Sequence, residues 1–152
     1  MESKKAQKAL DYFFGGYNCA QSVFAAFHEE MGLGEAEALR LASSMGGGVG
    51  GLREVCGAFT GMSLVMGALR GYDTPDDPEA KKDHYARIQA LGARFSDAYG
   101  TLICRDLLAS HGNLAPTLRS GTRVKQPRAS KPGTGKTGKP GKPPWVRRAV
   151  NL

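Results

Sequence analysis

An all-α fold is what this sequence predicts: a small helical bundle with a glycine-rich loop ahead of a central apolar helix. Three observations carry that expectation. Apolar residues recur at helical spacing in one segment after another. Glycine and proline fall mostly between those segments. Nowhere does a run of β-branched residues alternate with polar ones as a half-buried strand would.

Residues 4–15 set Ala6, Leu10, Tyr12, Phe13 and Phe14 close to helical spacing, and Gly15-Gly16 stops them. Residues 18–31 open on Asn18, a favourable N-cap, and place Ala20, Val23, Phe24 and Phe27 at i, i+3, i+4 and i+7. Residues 35–45 pair early Glu35 and Glu37, which suit the positive end of a helix, with Ala36, Leu39, Leu41 and Ala42. Gly46-Gly47-Gly48-Val49-Gly50-Gly51 holds five glycines in six residues, and neither helix nor strand is expected there. Residues 56–70 are the most apolar stretch and form the expected central helix, although each internal glycine costs about 1 kcal/mol against alanine. Small residues at Gly57 and Gly61 would let a neighbouring helix approach closely. Residues 71–78 read as a turn. Residues 79–98 put Tyr85, Ile88, Leu91, Phe95 and Ala98 on one stripe, Gly100 ends that helix, and residues 101–109 make a short last helix carrying Cys104.

The length of 152 residues suits one domain. Residues 1–111 are the expected helical domain, holding 11 basic and 14 acidic residues for a net −3. Residues 112–152 contain five Lys, five Arg, no acid and six of the eight prolines. Such a segment buries too little apolar surface to offset its ordering entropy, so a disordered basic tail is expected, with Trp145 and Val146 free to dock on the bundle. The overall charge of +7 therefore belongs to the tail. Nucleic acid is not expected as a partner, because aromatic residues hardly interleave with the charges; an inert solvated extension is the plainer reading. No apolar run approaches the roughly 18–20 residues of a membrane span, and no signal peptide is legible behind Met1-Glu2-Ser3-Lys4-Lys5. A cytoplasmic setting follows as the expectation.

Chemistry is sought first in the three cysteines, an odd number that does not suit a secreted disulfide scaffold. Cys19 follows Asn18 at a helix start, and Cys56 stands at the start of the central helix. A thiol in a helix's first turn meets unsatisfied N–H groups, which favour the thiolate. The plain alternative is that free cysteine is a small hydrophobe, often buried for packing alone. Gly46, Gly47, Gly48 and Gly57 would let a backbone, a partner or a cofactor come close.

A resemblance rests on Gly16-Tyr17-Asn18-Cys19-Ala20-Gln21, Met45-Gly46-Gly47-Gly48-Val49-Gly50, Cys56-Gly57-Ala58-Phe59-Thr60-Gly61 and Leu102-Ile103-Cys104-Arg105-Asp106-Leu107-Leu108. In this order, across about residues 5–110, the chain resembles a family of small bacterial and archaeal proteins presumed redox-active and named for its C…CGAxxG…C…C pattern. The resemblance implies that Cys19, Cys56 and Cys104 are three of four family cysteines. The fourth normally follows in a short Pro-Cys segment, and residues 112–152 hold no cysteine, as a diverged or frameshifted end would not. A four-thiolate site within this sequence and a two-disulfide cycle are thereby ruled out.

Three functions compete. Two of Cys19, Cys56 and Cys104 would cycle between dithiol and disulfide with an unknown redox partner protein; spacing does not say which two, and there is no Cys-x-x-Cys of the thioredoxin kind. The same three could instead ligate an iron–sulfur cluster or zinc with an outside fourth ligand, for which His28, His84 and His111 are candidates and His111 the first choice. Each histidine is more simply a solvent-facing one. The third reading is a non-enzymatic interaction protein working through its tail. The odd thiol could also bridge two copies into a homo-oligomer. Gly133 to Lys139 mimics a phosphate-binding loop, but Pro140 stands where Ser or Thr is needed. Asp76-Asp77 and Glu29-Glu30 read as solvated charges, and no Ser-His-Asp arrangement is legible.

Overall fold

Six α-helices form among the described residues, which in this computed structural model are residues 3–110. The expected tail at 112–152, its Trp145 and Val146, and His111 lie outside them. The helices are α1 (Lys4–Phe14), α2 (Cys19–Ala25), α3 (Glu35–Ala42), α4 (Gly57–Arg70), α5 (Pro78–Tyr99) and α6 (Cys104–Ser110), with a 3-10 turn at Ser43–Met45. The all-α expectation holds. Among the described residues no helix is long and apolar enough to cross a membrane.

Helix starts follow local chemistry. Ser3 Oγ accepts the Ala6 N–H at 3.1 Å and opens α1. Asn18 and Gln21 form a capping box on α2: Asn18 Oδ1 accepts the Gln21 N–H at 2.9 Å, and Gln21 Oε1 accepts the Asn18 N–H at 3.1 Å. Asp77 accepts the Ala80 N–H at 2.9 Å, with Pro78 in the first turn of α5. Glu29 and Glu30 are paired rather than merely solvated, with Lys8 and Lys5 of α1.

Two helices are shorter than their apolar periodicity suggests. α2 ends at Ala25 because the Phe27 and His28 N–H groups bond three residues back, to Phe24 and Ala25, and Gly32 turns the chain at φ 69°. α6 begins at Cys104, not at 101, because the residues before it are drawn into extended pairing. Val55 and Ile103 form an isolated antiparallel bridge, the Cys56 N–H donates to Leu102 O at 2.8 Å, and the Cys104 N–H donates to Glu54 O at 2.6 Å.

α2 is the centre of the packing and touches α1, α3 and α4. One apolar cluster gathers Leu10, Val23, Cys56, Phe95 and Leu107; a second gathers Ala20, Phe24, Ala38, Ala42 and Val65. The α2–α4 approach depends on Gly57 and Gly61. A Cβ on Gly61 would lie 3.0 Å from Ala20 O and 3.2 Å from Val23 Cβ, and one on Gly57 would overlap Cys19 Sγ.

The glycine loop is a left-handed coil. Gly47, Gly48, Val49, Gly50 and Gly51 run at φ 63°, 68°, 63°, 56° and 80°. That conformation costs an L-residue about 1–2 kcal/mol, so four glycines are where the chain needs them and Val49 bears the strain. The coil's wide hydrogen bonds, Arg53 N–H to Gly47 O and Glu54 N–H to Gly48 O at 3.0 Å each, hand the chain on to the Val55 bridge.

Gly61→Val is expected to lower unfolding free energy by about 2 kcal/mol through overpacking against α2. Gly67→Ala lies on the same helix, where a Cβ meets nothing within 4 Å, and is expected to raise it by about 0.5–1 kcal/mol. Urea unfolding of both variants measures the difference; equal effects would mean that α2 and α4 are not in close approach.

Candidate functional site

The three cysteines stand at three helix starts. Cys19 is the first residue of α2, Cys56 the N-cap of α4 and Cys104 the first residue of α6. All three are free thiols. Cys56 and Cys104 are 3% and 7% exposed, whereas Cys19 is half-buried.

Three devices bring them together. The first is the Asn18 side chain, which caps α2 through Oδ1 and donates from Nδ2 to Ser43 O at 2.9 Å. Gln21 Nε2 adds a bond to Leu39 O at 3.0 Å, so the start of α2 is tied to the end of α3. Gly46 packs so closely on Asn18 that any Cβ would overlap its side chain. The second is Gly57, whose bare Cα lets Cys19 Sγ sit against the residue following Cys56. The third is the Val55–Ile103 bridge, which fixes Cys56 and Cys104 on adjoining extended segments. A Cβ on Gly48 would lie 2.7 Å from Cys104 Cβ, so the glycine loop closes over that thiol.

Burial decides the state of Cys56. Its thiol is pushed up to about 12, chiefly because burial penalises the charged form, and next because a negative charge on Cys19 repels it. The backbone N–H groups of Ala58 and Phe59 act the other way, and Cys104 adds a smaller repulsion. The helix-start effect expected from sequence is present and is outweighed. Cys56 is therefore a protonated thiol at neutral pH, which corrects its expected role as an activated thiolate. Both other cysteines act on it electrostatically.

Cys104 has a neighbour that sequence reasoning passed over. Arg53 Nη1 donates to Cys104 Sγ at 3.9 Å. Arg53 stands in the left-handed region at φ 63°, uncommon for a residue with a side chain. A basic residue just after a glycine run was the only available signal, and it carries no distance.

At Gly46, Gly47, Gly48 and Gly57, where cofactor contacts are expected, an added Cβ would meet the chain's own atoms. Their Cβ faces meet Asn18, Gly51 with Arg53, Glu54 with Cys104, and Cys19 in turn. On these faces the four glycines serve packing. Among the described residues there is no group of three or more His, Cys, Asp or Glu placed to hold a metal ion. His28 is not simply solvent-facing: its Nδ1 lies 3.1 Å from Leu33 O and its Nε2 3.2 Å from Lys8 Nζ. His84 lies in an open apolar pocket of about 450 Å³ beside Met45, Thr60, Tyr85 and Ile88, and its Nδ1 is buried with no hydrogen-bond partner among the described residues. None of the cysteines lines that pocket.

The family described as "Putative redox-active protein (C_GCAxxG_C_C)" matches residues 17–134, well over half of the chain. This protein belongs to that family. The match starts at Tyr17, two residues before Cys19, and takes in Cys56, Cys104 and the first part of the basic segment. Within it the middle motif of this chain reads Cys56-Gly57-Ala58-Phe59-Thr60-Gly61, cysteine ahead of glycine. No curated protein and no solved structure matches the chain.

Stability should report the Cys56 proton. The folded chain holds it more tightly than the unfolded chain, so its contribution is complete below the ordinary value of 9.0 and is lost as pH rises towards about 12. The loss is expected to reach at most about 1.4 kcal/mol per pH unit. Cys56→Ala should remove that slope; urea unfolding of both chains across this range measures it, and parallel pH profiles would show that Cys56 titrates normally.

Proposed function

We propose that this member of a redox-active family works as a thiol–disulfide protein, cycling Cys19 and Cys56 between dithiol and disulfide. The observation that carries the reading is Cys56 itself: a buried, protonated thiol against which Cys19 exerts the strongest charge effect of any neighbour. Cys19 Sγ rests on Gly57, the next residue along, and Cys19 is the more exposed of the two.

The division of labour follows. A partner disulfide reaches Cys19 first, and Cys19 sulfur attacks one of its sulfurs. The partner's S–S bond breaks, a mixed disulfide forms on Cys19, and the leaving thiolate takes a proton from solvent. With its sulfur in the mixed disulfide, Cys19 no longer adds to the Cys56 shift, although burial, the larger cause, remains. Cys56 sulfur attacks Cys19 Sγ, the bond to the partner sulfur breaks, and the Cys56 proton passes to that departing sulfur, which leaves as the second partner thiol. In sum, two protein thiols and one partner disulfide become one protein disulfide and two partner thiols, and the reverse reaction would oxidise a partner. A family described by redox activity supports this reading over packing alone.

Mild oxidation of the reduced full chain is expected to remove two thiols and to yield a Cys19–Cys56 linked peptide by mass mapping. Cys19→Ser and Cys56→Ser should each abolish that peptide, while Cys104→Ser retains it. Three thiols that survive oxidation unchanged would make the cysteines packing residues.

A further inference from the structure

The apolar pocket between α4 and α5 takes no part in the thiol cycle. We infer that it is a binding site for a small, neutral, aromatic molecule that carries one hydrogen-bond donor, a phenol in chemistry. The inference stands apart from the redox reading, because no cysteine lines the pocket.

Size, walls and charge each point to that class. The pocket measures about 450 Å³, within the range of roughly 300–1,000 Å³ that small-molecule sites occupy. Met45, Leu64, Tyr85 and Ile88 supply its apolar lining, and His84 adds a second ring. A thioether and two rings favour an aromatic occupant over an aliphatic one. Those rings are set in place before anything binds. Tyr72 packs edge-on against both, with ring centroids 6.0 Å from His84 and 6.5 Å from Tyr85. No Lys, Arg, Asp or Glu lines the pocket, so an ion entering it would lose water and find no counter-charge.

The polar atoms of the wall fix the sense of the hydrogen bond. Thr60 Oγ1 donates its proton to Gly57 O at 3.2 Å, and Ser63 Oγ donates to Phe59 O at 3.0 Å. With both hydrogens engaged by the helix backbone, each hydroxyl keeps its lone pairs and meets a guest as an acceptor. The guest must then bring the donor. His84 Nδ1 is buried with no hydrogen-bond partner among the described residues, so the wall also holds a polar ring nitrogen that the helices around it do not use. A second copy of the chain fits less well. Eight residues line the pocket, where a stable interface takes about 20–30 a side, and Lys81, Lys82 and Arg87 stand exposed on the same stretch of α5.

The test uses the reduced full chain with methyl-labelled methionine and three probes that share one ring system: naphthol, methoxynaphthalene and naphthoate. The Met45 methyl, assigned with Met45→Leu, gives the local NMR signal, and calorimetry gives affinity. Naphthol should shift the Met45 methyl saturably. Methoxynaphthalene, which has no donor, should bind about fivefold more weakly, the worth of one hydrogen bond. Naphthoate, which carries a charge, should bind at least about tenfold more weakly. Thr60→Val combined with Ser63→Ala should make naphthol and its methyl ether equal while the ether binds as before; a merely structural role would weaken both alike. Ile88→Trp should fill the pocket and abolish the shift, and Leu64→Trp gives the same reading if that variant fails to fold. A Met45 methyl that no probe moves overturns the inference, as does equal binding of all three probes. A Met45 shift that follows protein concentration without probe, with a dimer in ultracentrifugation, gives the pocket to a second copy and overturns it too.

Discussion

The approach of α2 to α4 across two bare α-carbons governs this structure. Gly57 and Gly61 turn a helix face that would ordinarily hold a neighbour at side-chain distance into one that meets Cys19, Ala20 and Val23 directly. Each glycine weakens α4 as an isolated helix by roughly 0.5–1 kcal/mol relative to alanine. The tertiary contact reverses that preference, because any Cβ there would strike α2. The same contact brings a half-buried thiol on one helix beside a buried thiol at the start of the next. Packing and chemistry therefore share one requirement, and a residue that relaxed the first would dissolve the second.

The glycine loop solves a different problem. The chain must leave the 3-10 turn at Ser43–Met45, reverse, and enter α4 with residues 53–56 laid against 102–105. A left-handed coil over Gly47–Gly51 does this in five residues, which only a glycine-rich segment tolerates. Its return delivers Arg53 and the Val55 bridge, and the bridge in turn holds α6 so that Cys104 is its first residue. The loop is thus a scaffold whose glycines pack on Asn18, Glu54 and Cys104.

At Cys56 two opposing effects meet. The first turn of a helix favours a negative charge by about 0.3–1 kcal/mol. Removing a thiolate from water disfavours it by up to several pKa units. Burial prevails, with Cys19 adding its own repulsion. Three cysteines at three helix starts are therefore not three equivalent nucleophiles. Exposure distinguishes Cys19, a neighbouring guanidinium distinguishes Cys104, and a burial-raised pKa distinguishes Cys56.

The sequence by itself determined the all-α class, nearly every helix, the helix-start positions of Cys19 and Cys56, and the close approach allowed at Gly57 and Gly61. These are legible because helical periodicity, caps such as Asn18 and Asp77, and glycine's missing side chain act locally. Only the tertiary structure decided which thiol is buried, that α6 yields its first residues to a bridge with Val55, that the loop glycines face the chain's own atoms, and that Arg53 reaches Cys104. Each of these depends on residues far apart in the chain meeting in space. Burial, charge and hydrogen bonding act across that distance, and neither spacing nor composition records it.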